Sequence, residues 1–404
     1  MADDSVSMPC GRRDFTPRPV LSASVGSDSD RDRLSSVVKD CGKKLSGLEP
    51  FVDADEAKRL AKEAERMQFL RQMARKKKQN DQQRMLQDTV LDFDPKQGGE
   101  YYTRFIFADL TKFDLDEESP LGPMRFTDAV YKNKDDYELC EGLNFFSVRI
   151  TTSDVGFPIN VYGTVIAKDS LDKRCVYLFC RERDQCQLIN SEDESLILTG
   201  PKRGLALIGP NYVEIDLKIK DHQGQDKELS KGMLSINGIE RRRLKQCVLE
   251  SDNLATRLST VDVLYGVVKD AVEGTITIEV LQGDFNGKIT AHTTSILNTI
   301  VLYDSKVAGG MTGDGTGAIK LLRSIVSVYV KDKLIIVAET SDDGKFKQTI
   351  DFTPKINGRE EEVITIGVTK IDFTPKTKIN GREEVITIGV TKIRVKVAWS
   401  IMDF

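Results

Sequence analysis

The segment Ile350-Asp-Phe-Thr-Pro-Lys-Ile-Asn-Gly-Arg-Glu-Glu-Glu-Val-Ile-Thr-Ile-Gly-Val-Thr-Lys370 is followed at once by a near copy of itself over residues 371–392. The second copy has an added Thr377-Lys378 pair and one Glu fewer after its Asn-Gly-Arg. A solenoid needs about three stacked units to bury a continuous core. The pattern therefore indicates a local duplication inside one β domain.

The two copies can compete for one position in a sheet, because their side chains alternate in the same order. The second copy continues directly into Val395, Val397 and Trp399, which alternate as a half-buried strand would. We therefore expect the second copy (residues 371–392) to hold the native position. The first copy (residues 350–370) is then expected to form an added edge hairpin or a loop.

Short runs of β-branched and aromatic residues alternate with turn signals over residues 143–404. The candidate strands are residues 145–152, 159–167, 175–179, 204–208, 212–220, 229–236, 261–268, 275–281, 287–292, 300–303, 325–330 and 334–339. Helical periodicity is nearly absent here, which argues against a parallel sheet with helical crossovers. The sequence predicts a mainly β protein, with an antiparallel β-sandwich or barrel-like double sheet.

Asn-Gly pairs punctuate this β domain at Asn237-Gly238, Asn357-Gly358 and Asn380-Gly381. Such pairs supply the positive φ angles that tight hairpin turns require. We expect three tight hairpins at these positions, including one in each copy of the duplicated segment.

Three further segments precede the β domain. Residues 1–50 are rich in Ser, Asp, Arg and Gly, with few aliphatic side chains, and are expected to be a disordered tail. Residues 51–92 are predicted to form one long basic helix, which begins with Asp53 and Glu56 as an N-cap pair. Residues 93–142 contain several Pro and Gly residues and are expected to form an ordered connector with one short strand, across which the helix is separable from the β domain.

The long helix carries an apolar pattern at three- and four-residue steps. Its members are Ala57, Leu60, Ala64, Met67, Leu70, Met73 and Ala74. This narrow stripe is expected to dock on the main domain or to pair weakly with another helix as a coiled coil.

Composition excludes some classes of function. The chain has 404 residues, 39% hydrophobic and 30% charged, with a net charge of −4, which argues against a protein that is basic throughout. No N-terminal apolar run fits a signal peptide, and no stretch reaches the roughly eighteen apolar residues that span a bilayer. We expect a cytoplasmic or nuclear protein with no membrane partner.

A local basic run stands out against this balance. Residues 56–86 contain ten Lys or Arg and four Asp or Glu, and Arg75, Lys76, Lys77 and Lys78 are contiguous. Such a run can contact nucleic-acid phosphates or serve as a nuclear-import address. The alternative is a solvated helix face, which is favoured by the lack of interleaved aromatic residues that could stack on bases.

Three stretches of the β domain resemble a plant family that is expanded in the grasses and known only as a domain of unknown function. They are residues 160–169 (NVYGTVIAKD), 197–220 (ILTGPKRGLALIGPNYVEIDLKIK) and 271–283 (AVEGTITIEVLQG). The same domain is similar to the C-terminal half of cereal jasmonate-induced ribosome-inactivating proteins. The resemblance implies a plant stress or defence setting, and within it we expect a non-catalytic interaction module. It also leaves open a translation-linked partner, or a regulatory half related to rRNA N-glycosidases.

The residues of an rRNA N-glycosidase are not found. That chemistry needs a Glu and an Arg on a buried helix and usually a Trp at the pocket. The single Trp, Trp399, lies in a strand pattern, and Glu240-Arg241 follows an Asn-Gly pair. We therefore expect no enzyme activity and no catalytic residues.

Other catalytic or metal-binding patterns are also weak. His222 and His292 are remote from any nucleophile motif, so both are expected to be surface or strand-end residues. Cys175, Cys180 and Cys186 contain no Cys-x-x-Cys knuckle, so no metal and no cofactor is expected. The expected partners are proteins, with RNA or the ribosome as candidates, and the sequence sets no oligomeric state.

Overall fold

The computed structural model describes residues 54–106, 114–221, 224–242, 244–312, 318–341, 346–366 and 391–403. The chain divides into two compact units, Met1–Met85 and Leu86–Phe404. The predicted disordered tail, residues 1–50, lies outside the described residues, as do His222 and residues 371–390 of the second copy.

One long helix, α1 (Ala54–Val90), confirms the predicted N-terminal helix. Two short helices follow in the β unit, α2 (Gly238–Arg241) and α3 (Ser305–Ala308). A small antiparallel hairpin comes directly after α1 and consists of β1 (Leu91–Asp94) and β2 (Gly99–Tyr102). A second two-stranded pair consists of β12 (Asp284–Phe285) and β15 (Met311–Thr312).

The β unit is built from three larger antiparallel sheets. The seven-stranded sheet contains β3 (Cys140–Ser153), β7 (Leu205–Ala206), β10 (Val248–Thr256), β11 (Ser259–Gln282), β16 (Ile325–Tyr329), β19 (Gly358–Ile366) and β20 (Thr391–Ser400). The five-stranded sheet contains β4 (Ile159–Lys168), β5 (Val176–Arg181), β6 (Gln187–Ile189), β8 (Pro210–Ile219) and β9 (Lys227–Asn237). The four-stranded sheet contains β13 (Gly287–Thr293), β14 (Ile300–Asp304), β17 (Leu334–Thr340) and β18 (Lys347–Phe352).

The long strand β11 joins two sandwich cores. Its first half supplies Val263 and Tyr265 to a core shared with the five-stranded sheet. Its second half supplies Ile276 and Ile278 to a core shared with the four-stranded sheet. The register with β3 shifts between Val268 and Ala271, so inward positions are odd-numbered before this bulge and even-numbered after it. The predicted double-sheet β class is thus confirmed, and no sheet closes into a barrel among the described strands.

The predicted connector packs on the β unit. Tyr101 in the β1–β2 hairpin donates a hydrogen bond from its hydroxyl to Lys231 O at 2.8 Å. Residues 115–131, which we call the strap, bond to both sandwich halves. The hydrogen bonds are from Ser119 Oγ to Asp172 Oδ2 (2.7 Å), from Met124 N to Glu273 Oε1 (2.7 Å) and from Phe126 N to Ser400 Oγ (3.0 Å). These bonds satisfy the polar groups of a segment that has almost no regular structure.

Buried charges fix the strap against the first sandwich. Arg203, 1% exposed, donates to both carboxylate oxygens of the buried Asp169 at 2.6 and 3.0 Å. Its Nε also donates to Ser119 Oγ in the strap. Removing one member of such a pair would leave an uncompensated buried charge, so the network makes the strap part of the folded unit.

The first copy of the duplicated segment, not the second, supplies the strand beside β20. Residues of the first copy form the end of β18 and all of β19, and β19 pairs with β20 from Gly358↔Trp399 to Ile366↔Thr391. Ile364 and Ile366 are buried in the second core. The expectation that the second copy would hold this position was therefore wrong. The position beside β20 is occupied by β19, which lies within the first copy and buries Ile364 and Ile366.

The segment around Asn357-Gly358 is not a hairpin. Gly358 does have a positive φ of 102°, as predicted. However, β18 lies in the four-stranded sheet and β19 in the seven-stranded sheet, so residues 353–357 cross between sheets. Asn237-Gly238 is not a hairpin turn either, because the Asn237 side chain accepts from Ile239 N and caps α2. Asn380-Gly381 lies outside the described residues.

Candidate functional site

The basic helix α1 is the strongest candidate for a functional surface. It has 37 residues, which corresponds to about 56 Å at 1.5 Å per residue. Every side chain over residues 61–82 is exposed. The helix sequence contains no Gly or Pro, and Ala, Glu, Gln, Lys, Arg and Met make up most of it, so its residues favour helix without tertiary support.

Helical geometry divides the contiguous basic run between two faces. Successive residues turn by about 100° around the axis, so four consecutive residues cover nearly the full circle. Lys76 and Lys77 fall on one side of α1, and Arg75 and Lys78 fall on the other. The four residues that the sequence singled out therefore do not form one contact surface.

One side of α1 carries a longer basic surface, which we call the basic stripe. It covers an arc of about 100° and holds Lys58, Arg59, Lys62, Arg66, Lys76, Lys77 and Arg84, all exposed. No Asp or Glu between Lys58 and Arg84 falls within this arc. The stripe runs for about 39 Å along the axis. Like charges four residues apart, such as Lys58 and Lys62 or Lys62 and Arg66, repel each other, and a bound anion would relieve that repulsion.

Two large apolar side chains lie inside the basic stripe. Phe69 is 61% exposed and Met73 is 53% exposed, and both fall within the same arc as Arg66. The sequence analysis assigned Met73 to the apolar stripe, and it wrongly described residues 56–86 as lacking interleaved aromatic residues, because Phe69 lies within them. The helical period was the signal that would have placed Phe69 among the basic residues.

The predicted apolar stripe does not form a single face. Met67 and Ala74 lie outside the basic stripe, about 110° to 130° around the axis from its centre, whereas Leu70 lies near its border and Met73 lies within it. Met67 is 49% exposed and Leu70 is 50% exposed. Pairing with a second helix stays a prediction.

The described candidates for catalysis are held in structural positions. His292 in β13 is half-buried, and burial together with the positive charge of Lys347 lowers the pKa of its imidazole. Cys175 is buried with its Sγ 3.1 Å from Leu115 O, and burial raises its pKa to about 11. That thiol is protonated at neutral pH and is a poor nucleophile.

The Glu240-Arg241 pair lies in the short helix α2. Glu240 is exposed, and Arg241 forms an ion pair with Glu250 of β10. Across the described residues, no three His, Cys, Asp or Glu side chains converge as metal ligands. Within the same residues, no helix is both long enough and apolar enough to cross a membrane.

Residues 142–375 match the model of a protein family described as a domain of unknown function, DUF6598. The matched residues make up more than half of the 404-residue chain. The chain belongs to the DUF6598 family. The family match begins in β3, contains the whole first copy of the duplicated segment and ends five residues into the second copy. The basic helix α1 precedes the DUF6598 domain.

Solved structures offer only distant similarity to this DUF6598 protein. The C2A and C2B domains of extended-synaptotagmin 2 share 8% identity over 72% of this chain and 99% of that chain, with a TM-score of 0.20. Human GIVD cytosolic phospholipase A2 shares 11% identity over 65% of this chain and 33% of that chain, with a TM-score of 0.22. Scores this low carry no argument about fold or function. No curated protein matches the chain.

Proposed function

We propose that the chain is a non-catalytic interaction module that binds nucleic acid through the basic stripe of α1. The observation that carries the proposal is the segregation of charge, with seven exposed Lys or Arg side chains and no acid on one arc of about 39 Å. Phosphate groups follow one another at short intervals along a nucleic-acid strand, so a linear row of cations can neutralise several at once.

Charge segregation distinguishes this stripe from an ordinary solvated helix face. Solvated helices commonly mix both signs, because Glu–Lys pairs four residues apart stabilise the helix. In α1, Glu63 and Asp81 fall outside the arc of the stripe. The net charge of −4 for the whole chain also makes a positive surface of this length a local feature and not a consequence of overall composition.

A matched pair of variants tests the proposal. Lys76→Gln/Lys77→Gln removes two charges from the stripe, and Arg75→Gln/Lys78→Gln removes two charges from the same run but on other faces. The first variant should weaken RNA binding and reduce the slope of log affinity against log salt by about 1.4 for a single strand. The second should leave both nearly unchanged.

Either of two outcomes would overturn the proposal. Absence of RNA binding by the full-length wild-type chain at low salt would remove its basis. An equal effect of the two variants on RNA binding would show that the run acts through net charge, without a helical face. Circular dichroism of each variant checks that α1 is retained, since Gln is a good helix former.

We also propose that this module acts in plant stress or defence physiology. We propose that it works in the cytoplasm or nucleus and has protein partners besides RNA. The resemblance of residues 197–220 to the domain of cereal ribosome-inactivating proteins supports this setting. An RNA-binding helix would suit a translation-linked role, and co-sedimentation of the protein with ribosomes from stressed tissue, abolished by the stripe variant alone, would test it.

A further inference from the structure

We infer that the nucleic acid bound by the basic stripe is single-stranded and that Phe69 stacks on one of its unpaired bases. The inference rests on the proposed function and adds the class of nucleic acid and the residue that selects it. Phe69 is the aromatic residue of α1, and its ring is 61% exposed.

The position of Phe69 is the first argument. It lies near the middle of the stripe, seven residues from Lys62 and seven from Lys76, which places each about 10.5 Å away along the axis. Arg66 is three residues away on the same face. A base stacked on Phe69 would therefore have cations on both sides to meet the phosphates that precede and follow it.

The exposure of Phe69 is the second argument. An exposed Phe forgoes the stabilisation that its burial in a core would provide, and it lowers solubility. Base–aromatic stacking recovers that loss, and single-strand-binding proteins combine a positively charged track with such aromatic side chains. Met73, one turn further along the same face, extends the apolar platform.

The placement of Phe69 also argues against a nucleic-acid duplex and against a membrane surface as the ligand. In a duplex the faces of the bases are covered by neighbouring bases. The ring of Phe69 could stack on a base there only if the duplex were partly unstacked. A helix that lies on a membrane carries its Phe and Leu side chains on the face opposite its Lys and Arg. Phe69 instead lies among the cations of the stripe.

The test compares three variants of the full-length chain. Phe69→Ala removes the ring, Phe69→Tyr keeps a ring that can stack, and Met85→Ala removes a 71% exposed side chain that lies outside the stripe. Binding is measured to an unstructured single-stranded RNA, to an RNA duplex of the same length and to vesicles of phosphatidylcholine with phosphatidylserine.

Phe69→Ala should weaken single-strand binding about 5- to 150-fold, the range that the loss of one stacked base produces. The salt slope should stay the same, because no charge is removed. Phe69→Tyr should bind within about threefold of wild type, and Met85→Ala should match wild type. Duplex binding should be weaker in the wild type and unaffected by Phe69→Ala.

Each failure has a separate meaning. Unchanged single-strand binding by Phe69→Ala, together with weakened binding by Lys76→Gln/Lys77→Gln, would overturn stacking and leave the proposed function standing. An equal loss for the duplex would assign Phe69 to groove contacts. Vesicle binding that is tighter than RNA binding and is lost in Phe69→Ala would assign the helix to a membrane surface. Absence of RNA binding in the wild type would overturn both proposals.

Discussion

The indole Nε1 of Trp399 donates a hydrogen bond to Oε2 of Glu360 across 3.1 Å. Trp399 lies in β20 and is fully buried, whereas Glu360 lies in the adjacent β19 and is half-buried. The bond therefore links the first copy of the duplicated segment to the core of the second sandwich. Gly274 on β11 makes room for the indole, since a Cβ there would lie 3.0 Å from the ring of Trp399.

Replacing Glu360 should destabilise the second sandwich, because it removes the bond to Trp399. Glu360→Ala leaves the buried indole N–H without its acceptor and should cost about 1–3 kcal/mol, whereas Glu360→Gln keeps an acceptor oxygen and should cost less. Trp399 is the only Trp of the chain, so urea unfolding followed by its fluorescence reports on this site. Glu361→Ala, at an exposed neighbour, is the control. Equal stability of Glu360→Ala and wild type would show that the bond contributes nothing.

Arg323 should be a destabilising residue in the folded chain. It is 4% exposed, burial lowers its pKa to about 10, and no group among the described residues bonds to its Nε or Nη2. Because no partner for these two nitrogens within the described part of the chain offsets the cost of burying the charge, Arg323→Met should raise the free energy of unfolding by about 1 kcal/mol or more. If no anion binds at Arg323, added phosphate should leave the melting temperatures of the wild type and of Arg323→Met unchanged. Stabilisation of the wild type alone by phosphate would instead identify a bound anion.

Alkaline pH should destabilise the β unit through Tyr265. Its hydroxyl donates to Asp252 Oδ2 at 2.7 Å and to Glu250 Oε2 at 3.0 Å. Burial, followed by the bond to Asp252, raises the pKa of this phenol well above its usual value near 10. The unfolded chain therefore loses its proton first, so stability is intact below about pH 10 and falls as pH rises further.

The variant Tyr265→Phe tests that linkage. It should be less stable than wild type at pH 7, because a buried bonded hydroxyl is lost, but its stability should fall less steeply between about pH 10 and pH 11. Unfolding free energies at pH 7, 9, 10 and 11 measure both effects. Tyr102→Phe, at a 47% exposed tyrosine, serves as the control. Parallel pH profiles for Tyr265→Phe and wild type would contradict the assignment.

The sequence predicted the mainly β class and the N-terminal helix, because both depend on local period and propensity. It divided β11 into two strands, 261–268 and 275–281, and the charged residues Lys269, Asp270 and Glu273 lie between them. The structure carries the strand through because the buried carboxylate of Glu273 accepts bonds from Met124 N and Gly204 N, at 2.7 and 2.6 Å. Those partners are distant in sequence, so no local pattern shows them.

The site was predicted only in part for a related reason. The composition of residues 56–86 revealed the positive charge, but contiguity along the chain is not contiguity on a helix. Lys76 and Lys77 were named for being adjacent to Arg75, whereas the structure groups them with Lys62 and Arg66. The sheet crossover at residues 353–357 was missed because alternation reports which face a residue takes, not which sheet its strand joins.

The two copies differ in sequence at the positions that set the register of β19. In β19 the inward positions include Glu360, Ile364 and Ile366, and Ile366 is opposite Thr391 at the start of β20. The second copy has one Glu fewer before its Val-Ile-Thr-Ile. If its Ile386 took the position of Ile364, Arg382 would fall at the position of Glu360. A change of one residue moves every side chain beyond it to the other face of the strand.

Deleting residues 371–392 should therefore leave stability within about 0.5 kcal/mol of wild type. The deletion joins Lys370 to Ile393, and Thr369-Lys370 then replace Thr391-Lys392, so the sequence of β20 is unchanged. Ile366 and Thr369 would close a hairpin with Gly367-Val368 as its two-residue turn, a length and composition that suit a type II′ turn. The Trp399–Glu360 bond is retained. Urea unfolding monitored by Trp399 fluorescence measures the result.

Deletion of residues 350–370 is the matched control, because it also leaves a single copy of nearly the same length. In that chain Arg382 would occupy the position of Glu360, next to the buried Trp399. The indole N–H would then have no acceptor, because a guanidinium only donates hydrogen bonds. We expect a loss of about 2 kcal/mol or more and a shift in the Trp399 emission. Restoring one Glu after Arg382 in the same background should recover most of the loss, because it returns a carboxylate to the register position opposite Val397. Equal stability of the two deletions would show that the copies are interchangeable. The additional Glu that the first copy carries in Glu360-Glu361-Glu362 would then not set the register.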